Sequence, residues 1–349
     1  MSAQPAARPA ALPPTLARAS ALVEQPLRDA IASLAPAVHG IVMYHFGWAD
    51  ERGRPASGSG GKALRAALAL LSAEAAGGPG AAERDGIPAA VAVQLVHEFS
   101  LLHDDIMDGD RTRRHRPTAW TVFGSGPALL AGDALCTRAV EVLALAAPPA
   151  SAGPAVAALV RAIQELITGQ AADLSLEARV DAGLDETLTM AEQKTGALLG
   201  VSAALGAMLA GGSPPLVAAL ERYGRTLGLA FQLVDDLLGI WGDPAVTGKP
   251  VFADLRARKM SVPVAAALRG DEEASRELRG RLAGGGPADE QALALAAKLI
   301  DEAGGRSWTE READRLAAAA VDALDGVPVA ADVREDLAAL ARFTVRREL

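Results

Sequence analysis

Residues 97–118, HEFSLLHDDIMDGDRTRRHRPT, constrain this chain more than any other stretch. An apolar helical run ends in Asp104, Asp105 and Asp108, and Arg113 and Arg114 follow within six residues. On a helix the four-residue spacing stacks the Asp104 and Asp108 carboxylates on one face, about one turn apart. Two such carboxylates can share hard divalent cations, because magnesium takes oxygen ligands and is commonly held by one or two carboxylates together with substrate phosphate oxygens. The arginines suit the remaining phosphate charge, since a guanidinium forks onto an oxyanion in a way a lysine cannot.

The pattern recurs in residues 231–249, FQLVDDLLGIWGDPAVTGK. Asp235 and Asp236 again close an apolar run, 131 positions after Asp104 and Asp105, and Lys249 and Lys259 follow where the arginines did. One Asp pair at a helix end is ordinarily a solvated or capping group. Two, each trailed by basic residues, predict a pair of clamps facing each other across a helical cavity and gripping a metal-diphosphate cluster.

Around the motifs the chain reads as helices joined by Gly/Pro punctuation. Hydrophobic residues make up 50% and aromatics only 3%, an Ala, Leu and Val content that favours helix over sheet. Helices are expected over about 16–39, 40–48, 62–76 and 88–108, with a buried one at 197–212. Residues 50–62 form a loop by their breakers, and further breaks fall at 148–154, 211–215, 243–250 and 284–287. Ser213 before Pro214 and Pro215 has the order of an N-cap followed by proline at the helix start. No run alternates with period two for long enough to make a strand. The Ala/Pro-rich residues 1–13 lack an apolar core behind basic residues, so they read as a disordered tail rather than a secretory signal, leaving 14–349 as one all-helical domain. The stretch 197–212 is shorter than the ~20 residues a membrane span needs, so no transmembrane segment is expected. A net charge of -9 argues against nucleic acid as a partner. The single cysteine, Cys136, cannot form an intrachain disulfide and is consistent with a reducing cytoplasm.

In order and spacing these residues closely resemble the trans-isoprenyl diphosphate synthase family, also called polyprenyl synthetases. Asp104-Asp105-Ile106-Met107-Asp108 is similar to that family's first aspartate-rich motif, and Arg113-Arg114 to the arginine pair after it. The likeness continues in Gly60-Gly61-Lys62 with Arg65, in His97, Lys194-Thr195, Phe231-Gln232 and Asp235-Asp236, and in Thr247-Gly248-Lys249 and Asp254-Leu255-Arg256 with Lys259. It implies an orthogonal helical bundle of the isoprenoid synthase type with a central cavity, a homodimer, and magnesium-dependent condensation of isopentenyl diphosphate with an allylic diphosphate, three ions to an active site. By the same resemblance Asp104, Asp108 and Asp235 are direct magnesium ligands, and Asp105 and Asp236 ligate or support them. Arg113, Lys194, Lys249 and Lys259 would hold the allylic diphosphate, while Lys62, Arg65, His97 and Arg114 would hold isopentenyl diphosphate. Gln232 and Thr195 would complete the polar lining. Such chemistry needs a charge trap for the leaving diphosphate and a dry apolar pocket for the allylic cation.

Three positions depart from the family pattern. Gly239 stands where the second motif often has a third Asp, Ala63 and Ala66 replace residues that are often Arg and Pro, and Gln94 replaces a common Glu. Rival readings are a noncatalytic subunit of the same fold, a class I terpene cyclase, and a calcium-binding helical scaffold. Both aspartate motifs are retained, against the first; Lys62, Arg65, His97 and Arg114 speak against the second, and the full set of cationic positions against the third. Product length is read from the turn before Asp104. A side chain four or five positions upstream lies about 6 to 7.5 Å below the metal ligand, where Phe99 can block a growing chain and the small Ser100 leaves space beside it. That combination resembles the twenty-carbon geranylgeranyl type, with fifteen-carbon farnesyl diphosphate as the alternative.

Overall fold

Prolines set the helix starts. The computed structural model describes residues 13–56, 63–177, 179, 181–244, 250–286 and 289–346. Within it α1 (Pro14–Ile31), α2 (Pro36–His45), α7 (Pro149–Leu176) and α10 (Pro214–Trp241) each open on proline, whose fixed φ suits a first turn that lacks N–H partners anyway. Pro36 splits the helix expected over 16–39, because the residue before a proline is driven to extended backbone and Ala35 has ψ 140°. The helix expected at 40–48 is therefore the end of α2. Ser213 does precede α10, but its side chain makes no capping hydrogen bond. Of the expected tail 1–13, residues 1–12 lie outside the described residues, as do Lys62 and Lys249, and Pro13 directly precedes α1.

The centre is α9 (Ala197–Leu209), buried on all faces, between α3 (Leu64–Gly77) and α10. Glycines permit the close approach. A Cβ on Gly206 would lie 1.8 Å from the Ala69 carbonyl oxygen of α3, and one on Gly224 of α10 would lie 2.4 Å from that of Leu199. Against this core pack α4 (Ile87–Met107) and α6 (Ser125–Ala146), with α5 (Ala119–Phe123) leading into α6 and α8 (Leu184–Ala191) preceding α9. The helix Gly305–Asp322 lies along α10. Among the described residues no helix is long and apolar enough to cross a membrane.

One element departs from the all-helical expectation. Immediately after α4 the chain makes a two-stranded hairpin, β1 (Thr112–Arg113) and β2 (Arg116–Pro117), with Arg113 opposite Arg116. It is too short for any alternation to show in sequence.

Candidate active site

The last turn of α4 sets out the first carboxylates. Asp104 and Asp108 are half-buried and Asp105 is buried, and the Asp108 amide donates to the Asp104 carbonyl, which places the two one turn apart. Burial, reinforced by Asp108 and opposed by Lys194, raises the Asp104 carboxyl to about 6. Arg114 and His115 form the hairpin's two-residue loop with φ of 51° and 61°, the positive angles such a loop demands. That turn sends Arg113 back to Asp105 (Nε to Oδ1, 2.7 Å) and brings Arg114 within 3.6 Å of Glu98. From outside, α2 and the turn after it anchor the hairpin: Arg116 donates to the Tyr44 and Ala49 carbonyls, and the Tyr44 hydroxyl donates to the Pro117 carbonyl.

Of the groups expected around isopentenyl diphosphate, Arg65, His97 and Arg114 converge on α4. His97 lies within electrostatic reach of Arg65, on α3, and of Arg114; burial and those charges push its imidazole well below the usual range, so it stays neutral. Beneath them Glu98 is fully buried. Burial alone would raise its carboxyl, but Arg114 and His45 outweigh it and hold the group well below the usual range. Gln94 donates to Glu98 at 2.7 Å, and His45 Nε2 approaches it to 3.0 Å, an ion-pair distance rather than an aligned hydrogen bond. The acidic residue missing at Gln94 is thus present one turn later on the same helix. Below the hairpin a cavity of about 100 Å³ is lined by His45, Asp105, Arg113, Arg114 and Arg116 among others.

Across the site Lys194 and Thr195 sit in a five-residue π-helical stretch, Glu192–Gly196, between α8 and α9. Such widened turns recur at functional sites, and this one is admitted by Gly169 of α7, whose Cβ would lie 2.3 Å from the Lys194 nitrogen. Lys194 pairs with Asp173 at 2.6 Å. Thr195 donates to Gln232 at 2.6 Å, Gln232 donates to Asp236 at 2.7 Å, and the Val262 amide donates to the other Asp236 oxygen at 2.8 Å. Burial, then the nearby Asp254, raises the Asp236 carboxyl to about 7. Asp235 and Asp236 do not end their helix as expected; α10 runs on to Trp241. Lys259 closes the ring, reaching Asp108 at 2.5 Å and lying within the field of Asp173 and Asp254. Gly239 now has a physical reason: a Cβ there would fall 2.0 Å from Asp254 Oδ2, so the Asp254 carboxylate fills the space of a side chain at 239.

Asp104, Asp108 and Asp235 are oxygen donors of the kind magnesium takes, while Asp105 and Asp236 commit oxygens to Arg113, Gln232 and the Val262 amide. Among the described residues no three acidic, histidine or cysteine side chains form a cage on their own. Sequence reasoning missed Asp173, Glu98 and His45, and assigned no role to Asp254. Gln170, one turn before Asp173, was missed too; it is buried and neither amide atom has a hydrogen-bond partner. Asp254 stood in the matched Asp254-Leu255-Arg256 stretch, but the others lie in no acidic pair trailed by basic residues, so nothing local set them apart.

A helical bundle that sets Asp104 and Asp108 beside Lys194, Lys259 and Arg113, and anchors Asp236 through Gln232 and the Val262 amide, is a carboxylate-and-cation site of the kind that takes metal-bound diphosphates. The polyprenyl synthetase family model matches residues 48–300, and the chain belongs to that family. It is 47% identical over 338 residues to the (2E,6E)-farnesyl diphosphate synthase of Mycobacterium tuberculosis, covering 96% of this chain and 93% of that one. To the same organism's geranylgeranyl diphosphate synthase it is 44% identical over 334 residues, covering 95% and 93%. Among solved structures, a polyprenyl synthetase from Streptomyces coelicolor A3(2) superposes with a TM-score of 0.90 at 48% identity, covering 96% and 99%. A geranylgeranyl pyrophosphate synthase from Corynebacterium glutamicum, complexed with isoprenyl diphosphate and magnesium, superposes with a TM-score of 0.81 at 28% identity, covering 97% and 100%.

Proposed function

We propose that this chain joins isopentenyl diphosphate head-to-tail to an allylic diphosphate and stops at a short product, geranylgeranyl diphosphate. The observation that carries the reading is the Lys259 to Asp108 ion pair. It brings the cation downstream of the second aspartate pair onto the first, while the Val262 amide three residues later holds Asp236, so residues 259–262 link the two motifs. Magnesium, when bound, supplies the positive charge that draws off the departing diphosphate. Asp104, Asp108 and Asp235 would hold it, with Asp105 and Asp236 fixing their surroundings, and the Corynebacterium structure contains the same ion. Arg113, Lys194, Lys249 and Lys259 then grip the allylic diphosphate. Arg65, Lys62, His97 and Arg114 orient isopentenyl diphosphate so that its double bond meets the allylic carbon, and the apolar faces of the surrounding helices exclude water from the cation.

A farnesyl product is the second reading, favoured by the 47% identity to a farnesyl diphosphate synthase. Against it, Phe99 is buried in the turn below Asp104 and Ser100 beside it is small. A homodimer is part of the proposal, supported by Leu129, Leu130 and Leu145, which leave apolar surface open on α6. The test is incubation of the purified protein with magnesium, isopentenyl diphosphate and dimethylallyl, geranyl or farnesyl diphosphate, followed by mass analysis. A twenty-carbon diphosphate is expected. A fifteen-carbon end product would favour the second reading, while a hydrocarbon, or no uptake of isopentenyl diphosphate, would sink both.

A further inference from the structure

His103 precedes the first metal-binding carboxylate but takes no part in the diphosphate machinery. Its ring meets Phe99 edge-on, with centroids 4.9 Å apart and planes at 72°. Its Nε2 lies 3.0 Å from the Leu129 carbonyl oxygen of α6. A carbonyl only accepts, so Nε2 carries the hydrogen, and Asp133 Oδ1, 3.7 Å from the same nitrogen, favours that tautomer. The ring fits because position 132 is glycine: a Cβ there would lie 2.3 Å from Nε2 and 2.4 Å from Cδ2. The imidazole therefore rests directly on the α6 backbone, pinned by one hydrogen bond with its side chain 20% exposed, and buried Phe99 leans against it.

We infer that His103, seated on Gly132, is a specificity-determining residue that holds Phe99 across the path of the growing prenyl chain and so sets where elongation stops. This rests on the reading of Phe99 as the floor of the elongation pocket. An aromatic floor stops a chain only as sharply as it is rigidly mounted, because in a close-packed interior a ring with space behind it moves aside. The hydroxyl of Ser100 bonds back to the His97 carbonyl at 2.9 Å, so no second bulky group reinforces Phe99 from the next position.

The experiment compares the products of wild type, Phe99→Ala and His103→Ala with the same primers, and measures KM for both substrates. His103→Ala is expected to raise the ratio of the next longer product to the normal one by about tenfold, the low end of the discrimination a rigid apolar wall achieves per methylene. KM for both diphosphates should change little, since the cations that bind them are untouched. Longer products from Phe99→Ala with an unchanged distribution from His103→Ala would overturn this inference and leave the floor reading standing. Unchanged products from both variants would overturn the two together. Should His103→Ala be too unstable to assay, His103→Gln removes the ring while keeping a donor for the Leu129 carbonyl. A longer product from it supports the inference, and an unchanged one overturns it.

Discussion

Arg114 and His115 hold left-handed backbone angles that cost L-residues roughly 1–2 kcal/mol each. That strain persists because Tyr44, Ala49 and Asp105 hold the hairpin from outside, and it aims Arg113 and Arg114 into the site. Removing one carboxylate of the charge trap should be far more damaging to turnover than to folding. Asp104→Ala and Asp235→Ala are each expected to lower kcat by ~10²-fold or more with an unchanged circular dichroism spectrum, and near-normal rates in both would refute the metal assignment. Gly239→Asp restores the residue common in the second motif, yet its Cβ would meet Asp254 at 2.0 Å. Because the facing atoms are the tip of the Asp254 side chain, which can swing aside, it should lower stability by only about 1 kcal/mol, read from the urea midpoint; an unshifted midpoint would show that Asp254 yields freely. His97 sets an acid limit. Its folded-state pKa lies below the unfolded value, so its contribution is present above about pH 6.5 and is lost as pH falls from there toward the depressed folded-state pKa. His97→Gln should therefore flatten the acid side of the stability profile, and an equally steep loss in the variant would contradict this.

At the scale of elements, the site depends on helices brought closer than side chains normally allow. The α3, α9 and α10 layers touch through Gly206, Gly224 and Gly200, and α7 meets the π-helical stretch through Gly169. Because the atom facing Gly206 is the backbone carbonyl of Ala69, no side-chain rotation can make room. Gly206→Ala is expected to destabilise the protein by ~1–3 kcal/mol through overpacking, more than a typical exposed substitution, which stays within about 0.5 kcal/mol. Urea unfolding checks it, and a midpoint equal to wild type would mean that α3 and α9 can part without penalty. The same logic explains why the widened turn at Lys194 is tolerated: with Gly169 opposite, Lys194 reaches Asp173 of α7 without breaking the helix packing.

For the whole molecule, Leu130 is 61% and Leu145 is 77% exposed, and apolar side chains so exposed along one helix mark an interaction surface when they cluster. Sedimentation at micromolar concentration should give a dimer mass for the wild type and a lower mass for Leu130→Asp; a monomeric wild type would end that expectation. What the sequence by itself determined is local. The Ala/Leu-rich composition, the proline starts and the i, i+4 carboxylates act over one or two helical turns, so α3, α4, α9 and the spacing of Asp104 and Asp108 were legible from order alone. Tertiary structure decided which distant groups meet. Lys194 finds Asp173 across 21 residues and Lys259 finds Asp108 across 151; Glu98 meets His45 of α2 and Arg114 of the hairpin, and Asp254 fills the space beside Gly239. The reason is physical: a side chain's rise and face along a helix follow from its position in the chain, whereas its partner across a cavity depends on how closely two helix backbones pack, which here is settled by glycines whose role shows only once the helices are in place.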